Sequence, residues 1–261
     1  MRKLALPLTV ATLVMSVFGA FLRWLQVLGL FDPETGLAAP MAGISVVFTV
    51  YSLLAAAAML GISLWLRRRM EQPTRAEEAL RYTGVLPRAV AVLCAAMLAA
   101  AALQAMFTAG DAQSPLMQRL FGAAGLVAAA AMVALPGKGD GSAGATARSA
   151  SLWLPLFFGY WLVLVYRANA QDPVLWHYVV FALAVAMSAM GFYALSSWYF
   201  HKGRPLSGLL YIQLGIYFDI CALSDERGLG DKLLLIAAAA MLVVMEYLLL
   251  RNMKPKEGEA A

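Results

Sequence analysis

The chain has 261 residues, of which 62% are hydrophobic and 13% charged, with a mean hydropathy of +0.74 and a net charge of +5. A soluble domain carries about 25% charged residues, so this composition excludes one and fits a surface that faces lipid. The basic pI near 9.3 does not point to nucleic acid, because the Lys and Arg residues are spread over several loops rather than gathered on one face.

Eight apolar runs, each near the roughly 20 residues that span hydrocarbon, almost exhaust the chain. They predict an all-α fold: a polytopic helical bundle forming a single membrane domain over 1–261. Helix 1 is expected at about 5–28. Met1-Arg2-Lys3 followed by Leu4 to Ala20 has the layout of a signal peptide, but Phe18 and Ala20 make a poor small-x-small cleavage site, so the run reads as a retained helix. Asp32-Pro33 ends it, since proline disfavours helix in the residue before it.

The following helices are expected at about 40–66, 87–108, 116–135, 150–167, 173–199, 205–223 and 232–250. A charged, helix-prone linker from Glu71 to Arg81 separates the second and third, and Gly110-Asp111 to Ser114-Pro115 turns the chain into the fourth. Gly137 to Arg148, rich in Gly, Ser, Ala and Thr, reads as a flexible loop between the halves 1–136 and 149–261. A polar tail, Lys254 to Ala261, closes the chain. Cys94 and Cys221 both fall in apolar runs, where a thiol behaves as a small hydrophobe, and no disulfide is expected.

Of the 20 Lys and Arg residues, 15 fall on one side of this topology: Arg2, Lys3, Arg67, Arg68, Arg69, Arg75, Arg81, Arg88, Lys138, Arg148, Lys202, Arg204, Arg251, Lys254 and Lys256. The positive-inside bias then puts both termini in the cytoplasm and favours an even number of crossings. Overlaying the halves at an offset of 140 residues matches Phe18-Gly19 to Phe158-Gly159 and Asp32-Pro33 to Asp172-Pro173, a weak signal for a parallel 4+4 repeat. Alanine runs at Ala55 to Ala58, Ala99 to Ala102, Ala128 to Ala131 and Ala237 to Ala240 are expected to be faces of close helix packing, as is the Ser45, Thr49, Ser52, Ala56 stripe, with a hydroxyl-lined path as its alternative.

Ionisable groups at membrane depth are costly and call for partners or water. Arg23 and Gln26 on helix 1, Gln104, Arg119, Arg167, His177 and Asp219 all fall in the outer third of their helices. Gly208, Tyr211, Gly215 and Asp219 share one helical face, and Arg23 at similar depth is the expected partner of Asp219, with the Asp32-Glu34 turn as an alternative. Glu246 stands nearly alone in the inner half and, five residues before Arg251, is expected to reach the inner headgroup layer.

Arginine suits carboxylate or phosphate because its planar fork offers two charge-assisted bonds. The set Arg23, Gln26, Gln104, Arg119, Arg167, His177 and Asp219 therefore predicts an outward-facing pocket for a small anionic or zwitterionic solute, in a transporter or a transporter's membrane subunit. A competing reading is a non-transporting sensor or accessory subunit acting through its cytoplasmic loops. A lipid-modifying enzyme ranks third, for the chain has no HExxH, no GxSxG and only two histidines. No catalytic residue, cofactor, metal or nucleic-acid partner is expected; the bilayer is.

Along Phe31-Asp32-Pro33-Glu34-Thr35-Gly36-Leu37 the chain resembles uncharacterised bacterial polytopic membrane proteins, in which a similar acidic turn follows an arginine-bearing first helix. The resemblance implies a setting in the bacterial cytoplasmic (inner) membrane and brings no function with it.

Overall fold

A computed structural model describes residues 2–30, 43–71, 73–111, 114–136 and 145–255. These form nine helices: α1 (Arg2–Leu30), α2 (Gly43–Arg69), α3 (Ala76–Ala79), α4 (Leu86–Phe107), α5 (Pro115–Ala134), α6 (Ala145–Asn169), α7 (Val179–Tyr199), α8 (Pro205–Ala222) and α9 (Leu229–Asn252). Seven of them, α1, α2, α4, α5, α6, α7 and α9, are long and apolar enough to cross a membrane, and α8 is a shorter apolar helix of 18 residues. The chain is thus an all-α bundle and a multi-pass membrane protein.

The burial of α1 explains why the bundle belongs in lipid. Its polar residues Thr9, Thr12, Ser16, Arg23 and Gln26 are buried, while Leu6, Val10, Val14, Val17, Phe21, Trp24 and Leu28 are exposed. This inverts the usual amphipathic helix, whose polar face meets solvent. The steps of three, four and seven between the polar positions keep them on one stripe.

That stripe faces α8, which sits at the centre of the bundle against α1, α2, α7 and α9. Close approach needs small residues: a Cβ on Gly19 would lie 2.7 Å from the Tyr217 ring of α8 and 2.9 Å from Cys221 Sγ. On the far side, α4 and α5 meet through Ala102 and Gly125, where an added Cβ would be 2.7 Å from Ala102 Cβ. Such contacts replace the hydrophobic drive that lipid does not supply. The alanine runs divide accordingly: Ala128, Ala237 and Ala238 are fully buried, whereas Ala57 and Ala58 are exposed on α2.

Several helix ends differ from the sequence expectation. α7 begins at Val179 rather than near 173, because Asp172 holds the chain in a turn: its Oδ1 accepts from the Val174 N–H at 2.8 Å, and Leu175–His177 form a short 3-10 segment. α6 takes up Ala145 to Arg148, the last part of the expected flexible loop. Residues 137–144, the Asp32-Pro33-Glu34-Thr35-Gly36 turn and most of the polar tail lie outside the described residues.

The expected charged linker after α2 is a cap on the bundle. β1 (Met70–Glu71) pairs antiparallel with β2 (Lys254–Pro255) after α9. Trp198 Nε1 donates to Pro73 O at 2.9 Å, the Gly203 N–H to Thr74 O at 3.2 Å, and Asn252 Nδ2 to Ala79 O and Arg81 O at 3.0 and 2.7 Å. Ala76, Ala79, Leu80 and Tyr82 face inward and buried, while Glu77 and Glu78 are exposed. This Trp198 end lies opposite the end that carries Arg23.

The glycines matched by the repeat overlay have different surroundings. Gly19 abuts Tyr217, but a Cβ on Gly159 would meet nothing within 4 Å.

Candidate functional site

Arg23 is the hub of the opposite end. Its side chain is 1% exposed, and its three nitrogens have three different acceptors: Nε donates to Asp225 Oδ1 at 2.7 Å, Nη1 to Gln26 Oε1 at 2.9 Å and Nη2 to the Trp176 carbonyl at 2.9 Å. Gln26 in turn donates through Nε2 to Ser45 Oγ of α2 at 3.0 Å. One residue of α1 thereby ties together α2, the segment before α7 and the α8–α9 loop. The Ser224 hydroxyl adds a bond to Ala20 O at 2.9 Å, which seats that loop on α1.

The carboxylate partner of Arg23 is therefore Asp225, not Asp219. Two residues along a helix amount to about 200°, so Asp219 points away from the α1-facing Tyr217 and Cys221. It turns toward α7, where Ser188 Oγ donates to its Oδ2 at 2.6 Å, and its Oδ1 has no partner. Asp225, by contrast, leaves α8 in the loop before α9 and folds back over Arg23. Burial pushes its carboxyl above the usual carboxylate range, and the Arg23 guanidinium pulls against that.

Around this pair opens a vestibule of about 510 Å³ lined by Arg23, Val27, Asn169, Asp172, His177, Asp225, Glu226 and Arg227. His177 Nδ1 lies 2.8 Å from Asp172 Oδ2, and Arg227 Nη2 donates to the His177 carbonyl at 2.8 Å. The Val174 N–H and the His177 ring both hold the Asp172 carboxyl below its ordinary range. The Arg227 guanidinium also rests 4.5 Å from the centre of the Phe181 ring, a cation–π contact.

Arg227 and Asn169 also border a second cleft, of about 390 Å³, which includes Arg167 and Asp231 above Phe121, Trp161 and Phe181. The Arg167 guanidinium contacts Met117 Sδ.

Of the seven residues expected to converge, Arg23 and His177 line the vestibule and Gln26 buttresses Arg23 from behind. Arg167 borders the neighbouring cleft. Arg119 is exposed on α5, Gln104 is exposed on α4 and lies against Gly230, and Asp219 is enclosed between α7 and α8. Asp172, Asp225, Glu226 and Arg227 were absent from the expected set. Their sequence context, short polar loops beside a proline or between apolar runs, looks like solvated connection, and only the fold lays them over Arg23.

A second buried polar group occupies the other half of the bundle. Glu246 is 0% exposed and does not reach the headgroups; its Oε1 accepts from Thr12 Oγ1 and Gln213 Nε2, both at 2.8 Å. Among the described residues, no group of three or more His, Cys, Asp or Glu side chains could hold a metal ion.

Comparison of the chain with protein-family models, with curated proteins and with solved structures gave no match.

Proposed function

We propose that this is a bacterial inner-membrane protein of eight crossings, both termini cytoplasmic, that binds a small zwitterionic solute in the vestibule around Arg23 and Arg227, as a transporter or a transporter's membrane subunit. Two features support the topology. α8 runs from the Trp198 end to the Arg23 end, and its 18 residues cover about 27 Å, close to the hydrocarbon thickness. The Trp198 end carries Arg67, Arg68, Arg69, Arg81, Lys202, Arg204 and Arg251, the basic bias of a cytoplasmic face.

The vestibule lining carries the functional reading. Two guanidiniums face three carboxylates, Asp172, Asp225 and Glu226, in a cavity of about 510 Å³, within the range of small-molecule sites. A simple anion would meet more negative than positive groups there. A solute bearing both signs finds a complement for each, with Arg227 the arginine for its anionic end, because Arg23 is engaged by Asp225, Gln26 and Trp176.

Purified protein titrated with free amino acids, betaines and dicarboxylates tests this by thermal shift. A zwitterion should raise Tm saturably and a dicarboxylate should not, and Arg227→Gln should abolish the rise. No shift with any zwitterion, or a shift that survives Arg227→Gln, removes the vestibule from the function.

The second reading, a non-transporting sensor or accessory subunit, draws on the α3 cap. Its apolar side is sealed to the bundle by Trp198 and Asn252 while Glu77 and Glu78 face outward, an arrangement able to pass helix movements to a cytoplasmic partner. Uptake of the labelled solute into vesicles supports the transporter, and binding without uptake supports the sensor.

A further inference from the structure

Glu246 lies about 9 Å in from the end of α9, level with Thr12 of α1 and Gln213 of α8, each roughly 12–15 Å from its own terminus. All three side chains are fully buried. Glu246 Oε1 accepts from Thr12 Oγ1 and Gln213 Nε2 at 2.8 Å each, and Gln213 Nε2 lies 3.3 Å from Thr12 Oγ1. The other two oxygens of the cluster, Glu246 Oε2 and Gln213 Oε1, have no hydrogen-bond partner, and neither does Thr9 Oγ1 one turn along α1.

The cluster thus has more oxygen than donors, and no counter-charge. The ion pairs among the described residues are Arg23 with Asp225 and His177 with Asp172, and neither reaches Glu246. A carboxyl enclosed at membrane depth needs either a proton or a positive charge beside it. We propose that Glu246, Gln213 and Thr12 form a site for a small alkali cation, of which sodium is the physiological candidate.

A hard cation takes carboxylate, amide and hydroxyl oxygens as ligands, the atom types left open here. A proton on Glu246 would neutralise the carboxylate and add one donor; a cation would supply the charge and also take Gln213 Oε1 and the Thr12 hydroxyl oxygen as ligands. The site joins α1, α8 and α9, so occupancy would hold together the helix that carries Arg23 and the two helices whose connecting loop carries Asp225. This inference is independent of the vestibule solute.

The test is Tm of the purified protein in sodium chloride against choline chloride, at equal ionic strength and fixed pH. Sodium should give a saturable rise absent in choline and abolished by Glu246→Gln. Gln213→Leu, which removes one oxygen ligand and keeps the carboxylate, should raise the half-saturating sodium concentration about tenfold. Equal Tm in the two salts, a response to pH but not to sodium, or a sodium-induced rise that persists in Glu246→Gln overturns the proposal. Should Glu246→Gln not fold, an unchanged half-saturation in Gln213→Leu overturns it as well.

Discussion

At the residue scale, Arg23 shows how one side chain becomes structural by having all its nitrogens engaged. Removing it would take from buried Asp225 its hydrogen-bonded counter-charge and leave only the more distant Arg227 and Lys232, and breaking a buried pair from one side typically costs about 3–5 kcal/mol. Arg23→Ala should therefore destabilise the protein by that order in detergent unfolding, and Asp225→Asn should recover part of the loss in the Arg23→Ala background. A change below about 1 kcal/mol would mean the pair is no more than a surface bridge.

Asp172 makes a prediction of opposite character, about acid rather than mutation. Its carboxyl is held below the ordinary range by the Val174 N–H and His177, so the ionised form is favoured in the fold. The resulting stability is present above the unfolded carboxylate pKa and is lost as pH falls through the lowered folded value. Hydrogen-exchange protection in residues 172–178, taken relative to the intrinsic exchange rate at each pH, should fall on acidification below about pH 4, and Asp172→Asn should be weakly protected at every pH. The acidic half of this turn was visible as Asp172-Pro173, but nothing in the order of residues announces that the carboxylate caps the turn before α7.

At the scale of elements, the bundle rests on small residues where helices touch and on polar residues where three helices meet. Gly125 packs on Ala102 with no space for a Cβ, so Gly125→Ala should cost roughly 1–3 kcal/mol of overpacking, measurable as a lower Tm, whereas Gly159→Ala, facing open space, should leave Tm unchanged. The positions of most helices were legible because a span of about 20 apolar residues has no other stable setting. On α1 the sequence draws attention only to the charged end, Arg23 and Gln26; the rest of the polar stripe, Thr9, Thr12 and Ser16 at steps of three, four and seven, escapes a scan for ionisable groups because hydroxyls are cheap in an apolar helix. Which helix the stripe would meet was not legible, because α1 and α8 stand nearly two hundred residues apart and every apolar helix offers a comparable surface.

For the whole molecule, the sidedness of charge is the feature with the widest consequence. Cys94 and Cys221 are buried, so single cysteines introduced on the surface report topology against a silent background. With the proposed orientation, an impermeant thiol reagent added to intact cells should label Glu226→Cys at the vestibule and should reach Glu77→Cys in the α3 cap only after the cells are permeabilised. Labelling of both from one side would refute a path of α8 across the bundle. The cap itself illustrates tertiary override: a run of mixed charge that reads as a linker has Ala76, Ala79 and Leu80 buried on the bundle.

Composition and hydropathy alone determined that the chain is a helical membrane protein with charge concentrated on one side, because both properties follow from the free energy of placing each residue in or out of lipid, summed along the chain. They also marked Arg23 as a residue in need of a partner. Only the tertiary structure decided that the partner is Asp225 and not Asp219, that Glu246 turns inward to Thr12 and Gln213, and that short polar loops close over Arg23. Such choices depend on the angle at which each side chain leaves its helix and on which helices become neighbours, and local sequence does not encode either.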